Sequence, residues 1–284
     1  LWSGLVAKTW SWTGRTGADA VPLAAGAAAS ACLVLLLLGG LRTLRGPATG
    51  ALGALVLVST ATFWQYAMAQ YADIPLSLFM LGALWSAVRA AGDEWDSPLL
   101  ALSGLLASMA AWTKDEGIVF AAGLAIAVLF AARKSALPWL LAAAPASLIV
   151  ALYKALMAPP FKEWSPAHLA DFARVPQILG FFFDELLSLG HFPSHPIFLL
   201  AVSAALLGFR RPATQFWAVI PVATLAAGYF AAFWMTTSGL QWRLQTAGSR
   251  ILLQMMPLLI FTLFLFLRTP STAATAPDPK RKKR

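Results

Sequence analysis

The chain has 284 residues, of which 59% are hydrophobic and 12% charged, with a mean hydropathy of +0.71. A water-soluble domain carries about 25% charged residues, so this composition excludes a soluble enzyme and indicates a multi-pass helical membrane protein. The net charge of +9 reads as Lys and Arg fixing cytoplasmic loops, not as a nucleic-acid surface, and the single cysteine, Cys32, excludes an intrachain disulfide and reads as packing in an apolar run.

In chain order, the first twenty residues lack the basic-then-apolar order of a signal peptide. Trp2, Trp10 and Trp12 read as an interfacial aromatic group, and the start at Leu1 instead of Met reads as a fragment that has lost its N-terminus. Apolar runs follow at 21–41, 48–66, 74–91, 98–113, 117–132, 136–158, 196–209, 213–234 and 251–267, each judged against the roughly 20 residues needed to cross hydrocarbon. The runs 98–113 and 117–132 are either two spans joined by a tight turn or one re-entrant hairpin. The expected fold is therefore all-α, a transmembrane bundle of about nine spans occupying 1–267.

Lys and Arg in alternate connections separate into two sets. Arg42, Arg45, Arg89, Arg133, Lys134, Arg210, Arg211, Arg268 and the terminal basic run form the larger set, on short loops and the tail, and that side is expected to be cytoplasmic. Asp73, Lys114, Asp115, Glu116, His168, His191, His195, Arg243 and Arg250 then fall on the other side, so the residues able to do chemistry gather at the extracytoplasmic surface. Residues 159–195 make the longest outer connection. Pro159-Pro160 breaks the preceding helix, and Phe181, Phe182 and Phe183 followed by Asp184 and Glu185 predict a short interfacial helix. Residues 268–284, rich in Pro, Thr and Ala and ending Lys-Arg-Lys-Lys-Arg, read as a disordered cytoplasmic tail with affinity for anionic lipid. There is no internal repeat and no Gly-rich phosphate loop.

Each polar cluster carries two readings. Asp73, in Gln70-Tyr71-Ala72-Asp73-Ile74-Pro75, is either a helix N-cap ahead of Pro75 or a carboxylate that binds a metal or a sugar hydroxyl, with Tyr71 stacking on a sugar or lipid group. Thr113-Lys114-Asp115-Glu116-Gly117 is either a solvated turn ended by Gly117 or a site in which Lys114 meets a phosphate, supported by Asp115 or Glu116. His191 and His195 are either interfacial side chains or ligands for a divalent metal ion, although Pro193 between them opposes a regular helix. Arg243 and Arg250 are either headgroup anchors or guanidinium forks for phosphate, with Trp242 as a platform for a sugar ring.

The stretches Gln70-Tyr71-Ala72-Asp73-Ile74-Pro75-Leu76, Ala111-Trp112-Thr113-Lys114-Asp115-Glu116-Gly117 and Arg250-Ile251-Leu252-Leu253-Gln254-Met255-Met256-Pro257 occur in the order found in GT-C fold glycosyltransferases. Over about 50–267 the chain resembles the bacterial branch near the protein O-mannosyltransferases and the lipid A aminoarabinose transferase. The resemblance implies a bacterial plasma-membrane enzyme that moves a sugar from a polyprenyl-phosphate donor to an extracytoplasmic glycan, lipid or protein. A carboxylate would deprotonate the acceptor hydroxyl and cations would stabilise the departing lipid phosphate. It assigns Asp73 to the second acidic residue of the site, Lys114 to the basic residue of a Thr-Lys-x-x-Gly turn, and Arg250 to the arginine facing the donor phosphate. It also implies that the first span, the first external loop and the principal acidic residue lie before Leu1, so that the fragment alone is inactive. The competing expectation is a transporter or flippase, which would place ionisable groups at mid-membrane in broken helices.

Overall fold

Helices account for most of the described backbone, as the apolar runs require. The computed structural model describes residues 1–14, 20–67, 71–158, 163–188, 195–210 and 215–270. In chain order these residues form α1 (Trp2–Thr13), α2 (Ala20–Arg45), α3 (Pro47–Val58), α4 (Ala61–Ala67), α5 (Asp73–Gly92), α6 (Ser97–Thr113), α7 (Asp115–Ala131), α8 (Leu137–Leu156), α9 (Arg174–Ser188), α10 (Pro196–Leu207), α11 (Val219–Trp234) and α12 (Leu240–Phe266), with 3₁₀ turns at Pro166–Ala170 and Phe216–Ala218. The breaks follow local chemistry. Gly46, at φ 91°, separates α2 from α3, which Pro47 opens. The Asp96 carboxylate accepts from the Leu99 N–H at 2.9 Å and caps α6. Lys114 is extended, at φ −156° and ψ 161°, and divides α6 from α7.

Among the described residues each apolar run is mainly helical, but the helices differ in length. Among the described residues five helical stretches are long and apolar enough to cross a membrane, and a sixth arises if α3 and α4, bent by 72°, are counted as one. The runs 98–113 and 117–132 form helices of 17 residues each and 196–209 forms one of 12. They are cut short by Lys114, by Pro196 and by Gly208 at φ 67°. The count of full-length spans is thus smaller than the number of apolar runs, and α6 and α7 are two helices meeting at a single extended residue.

Burial identifies the centre of the bundle. In α5 and α12 the most apolar window is 72% buried, against 17% in α8 and 33% in α2. Leu76, Met80, Leu84, Phe261, Phe264 and Leu265 form part of the shared core. Leu35, Phe130, Leu141 and Leu206 point outward, where a hydrocarbon solvent imposes no penalty. Cys32 is also exposed and does not pack in the core, because α2 presents only one stripe inward. Small residues allow close approach: a Cβ at Gly104 on α6 would meet the Trp139 carbonyl of α8, and one at Gly117 would meet the Ala110 carbonyl of α6. Ser103 ties the same region together, donating to the Ala83 carbonyl at 2.8 Å and accepting from the Trp139 indole at 3.1 Å.

The helix ends gather at two poles. At one, the connection after α8 is fastened to the α11–α12 turn: the Ser165 N–H donates to Met235 at 2.8 Å and the Thr237 N–H to Glu163 at 2.9 Å. There α9 lies against α12 and α11, with Ile178 buried, Phe181 over Gly248 and the Phe182 ring 5.4 Å from Phe233. Phe172, Leu179, Phe183 and Leu187 remain exposed beside it. At the opposite pole the Arg210 N–H donates to Phe266 and the Arg268 N–H to Gly208, both at 2.9 Å, clamping the end of α12 to the chain after α10.

Candidate functional site

Asp73 is the first residue of α5, but Ala72 occupies the N-cap position and no side chain caps the helix. The carboxylate is instead turned into the bundle and fully buried, which corrects the capping alternative. Lys114 Nζ lies 2.8 Å from Asp73 Oδ1 and Arg250 Nε lies 2.9 Å from Oδ2. The Gln254 amide also donates to Oδ1, and the Tyr229 hydroxyl donates to the Gln254 carbonyl oxygen. Both carboxylate oxygens are therefore engaged by donors from three other residues, Lys114 and, on α12, Arg250 and Gln254. A buried carboxylate requires such partners, since an unpaired charge in low dielectric is prohibitively costly.

The geometry follows from local structure. The extended backbone at Lys114 projects its side chain toward the start of α5, while Arg250 and Gln254, four residues apart, share one face of α12. The Arg250 guanidinium also sits over the Tyr71 ring, 4.0 Å from its centre, and Tyr71 meets Tyr66 edge-on at 5.8 Å. Lys114 reaches Glu116 at 3.3 Å. Two looser pairs flank the site, Lys154–Asp115 at 2.8 Å and Arg243–Glu163 at 3.1 Å; at their exposure each contributes about 0–1 kcal/mol.

Beside this network lies a cavity of about 570 Å³. Its polar wall carries Lys114, Asp115, Glu116, Arg243, Arg250, Tyr229 and Gln254, and its apolar wall carries Val119, Leu225, Ala232, Phe233 and Ile251, with Trp164 and Trp242 also lining it. Neither Asp73 nor Tyr71 is on the wall: Asp73 stands behind the two cations, and Tyr71 lies under Arg250. On the cavity wall three cations, Lys114, Arg243 and Arg250, stand beside two carboxylates, Asp115 and Glu116, and Lys114 is shared between Asp73 and Glu116. The N–H donors of Lys114, Arg243 and Arg250 thus face the same space as an apolar wall, an arrangement that suits a polar group attached to an apolar body.

The other expected positions fall elsewhere. His195 precedes α10 with its Nε2 against the Leu187 carbonyl, and His191 and Gln70 lie outside the described residues. Among the described residues no group of three or more His, Cys, Asp or Glu side chains is placed to hold a metal ion. The candidate residues brought together are Asp73, Lys114, Asp115, Glu116, Arg243, Arg250 and Trp242. Sequence reasoning missed Gln254, Tyr229, Glu163 and Trp164. The spacing of Gln254 from Arg250 was a usable signal, as was a lone Tyr in an otherwise apolar helix, whose hydroxyl needs a partner. Glu163 and Trp164 are positioned by a backbone bridge that leaves no local pattern. Comparison with family models, with curated proteins and with solved structures finds no match to this chain.

Proposed function

We propose that the chain is the membrane domain of a glycosyltransferase of the GT-C kind, moving a sugar from a polyprenyl-phosphate donor to an acceptor outside the cytoplasm. One observation carries this reading. Asp73, Lys114 and Arg250, drawn from the three stretches that resemble the family, meet at 2.8 and 2.9 Å beside a single cavity. On this reading Lys114 and Arg250 take up the negative charge that grows on the leaving phosphate as the anomeric bond breaks. Arg243 supports them at the cavity edge, the apolar wall receives the start of the prenyl chain, and Trp164 and Trp242 face the sugar. Asp73 acts through the cations as a positioning residue, since neither of its oxygens is free to accept an acceptor proton. The carboxylates on the cavity wall are Asp115 and Glu116.

A divalent ion fits this set poorly. Asp73 is saturated by N–H donors, Asp115 is paired with Lys154, and His195 faces a carbonyl. Charge neutralisation is accordingly assigned to Lys114 and Arg250. The same reading sets the protein in a bacterial plasma membrane with the Lys114 pole outward and the Arg45, Arg210 and Arg268 pole toward the cytoplasm. It counts the short helices as crossings, to make about nine, and lays α9 in the outer interface.

Donor binding tests the proposal directly. Purified protein in detergent is titrated with undecaprenyl phosphate and with undecaprenol, which share a chain and differ in the phosphate. The phosphate form is expected to bind at least about tenfold more tightly, and Arg243→Gln, at the exposed edge, is expected to erode that preference. Equal affinity for the two lipids would overturn the reading. Movement of the lipid across vesicle bilayers with no sugar transfer would favour a flippase instead.

A further inference from the structure

The pole opposite the cavity holds a second cationic cluster. Arg45 at the end of α2, Arg210 after α10 and Arg268 after α12 converge on a recess of about 330 Å³, together with Thr269. The convergence is built into the backbone. The antiparallel bridge between Phe209 and Leu267 sets Arg210 and Arg268 next to each other, and the Arg45 guanidinium donates to the Leu267 carbonyl. Arg210 Nε donates to the Leu265 carbonyl at 2.9 Å and its Nη2 to Gln215 at 2.7 Å.

Among the described residues no carboxylate lies within ion-pair distance of any of the three. This contrasts with the other pole, where Lys114, Lys154, Arg243 and Arg250 all have acidic partners. The Arg45 Nε–H is buried and has no acceptor among the described residues. The carbonyls at the end of α12 attract the guanidinium groups, but they use few of the N–H donors that three arginines supply. Three like charges held together with an unmatched buried donor call for an anion with several oxygens. Phosphate fits the planar guanidinium fork in the bidentate way. Exposed Phe209 and Phe216 stand next to the cluster in the chain, and the Phe216 ring stacks on Phe266 at 5.7 Å, so an apolar surface adjoins the charge.

We infer that Arg45, Arg210 and Arg268 form a phosphate-binding site at this pole, taking the phosphodiester headgroup of an anionic lipid or free phosphate. The site is separate from the cavity beside Asp73 and does not depend on the function proposed for it. Bound anion would lock the ends of α2 and α12 to the segment after α10.

Native mass spectrometry of the purified protein in detergent tests this with dioleoyl-phosphatidylglycerol, with dioleoylglycerol, which has the same tails and no phosphate, and with inorganic phosphate as competitor. Phosphatidylglycerol is expected to be retained and dioleoylglycerol lost. The decisive variant is Arg268→Gln, because that side chain is exposed and makes no hydrogen bond among the described residues, so the fold does not rely on it. Its affinity for phosphatidylglycerol should fall about tenfold, while Arg133→Gln, an exposed arginine at the same pole outside the recess, should change nothing. Displacement of the lipid by millimolar inorganic phosphate assigns the site to free phosphate, and resistance to it assigns the site to the lipid headgroup. Unchanged binding in Arg268→Gln, an equal loss in Arg133→Gln, or retention of neither probe would overturn the inference.

Discussion

At the scale of single residues, Asp73 is the point on which the site depends. Removing its charge leaves Lys114 and Arg250, each about one quarter exposed, facing each other with only Glu116, on the Lys114 side, as a counter-ion. Loss of one member of a buried ion pair costs about 3–5 kcal/mol, so Asp73→Asn should lower the thermal midpoint in detergent markedly. An unchanged midpoint would show that the network does not hold α5, α7 and α12 together. Tyr229→Phe is a gentler probe, because it deletes the hydroxyl that donates to Gln254 and leaves a buried acceptor unsatisfied. A loss of about 1–3 kcal/mol is expected, read from chemical or thermal unfolding. The charged members of this network were legible in the sequence, because carboxylates and cations are conspicuous in an apolar chain. The direction in which Asp73 faces was not legible, since a carboxylate before Ile74-Pro75 has the same local pattern whether it caps a helix or enters the bundle.

Among elements, contact is governed by small residues whose role the composition hides. Gly104→Ala would drive a methyl group into the Trp139 carbonyl, and backbone cannot yield as a flexible side chain does. Overpacking of this kind costs about 1–3 kcal/mol, and the variant should show a lower midpoint with unchanged helix content by circular dichroism. Helix α9 offers a pH-dependent counterpart. Burial pushes the Glu185 carboxyl above its ordinary value, so the folded state favours the protonated form. The associated stability is fully present below the ordinary glutamate range and is lost as pH rises through the raised value. Glu185→Gln should therefore stabilise the protein at neutral pH and flatten the rise in midpoint that the parent shows on acidification. Helix positions were readable from apolar runs, whereas their lengths were not. Lys114 ends α6 through its backbone conformation, and hydropathy carries no information about that.

For the whole molecule, the separation of the charges into two poles is the testable feature. Replacing exposed Cys32 with Ser and introducing cysteine at Glu163 or at Arg133 gives single sites at opposite ends of the bundle. An impermeant maleimide applied to intact spheroplasts should label the Glu163 site, with the Arg133 site labelled only after the membrane is opened; the reverse pattern would invert the proposed orientation. Alternating Lys and Arg counts lead to the expectation of two sides, and the labelling pattern tests it. The closure of each pole was not foreseeable, since isolated backbone bridges such as Phe209 with Leu267 arise from tertiary packing alone. Those distant pairings also bear on how the protein is made. Asp73 and Lys114 are 41 residues apart, whereas Asp73 and Arg250 are separated by 177. A ribosome adding roughly 5–20 residues per second delivers Arg250 on the order of ten seconds after Lys114. During that interval α5 stands in the bilayer with a neutral pair and one carboxylate oxygen still lacking its donor. The nascent chain thus waits in a half-closed state that only the arrival of α12 completes.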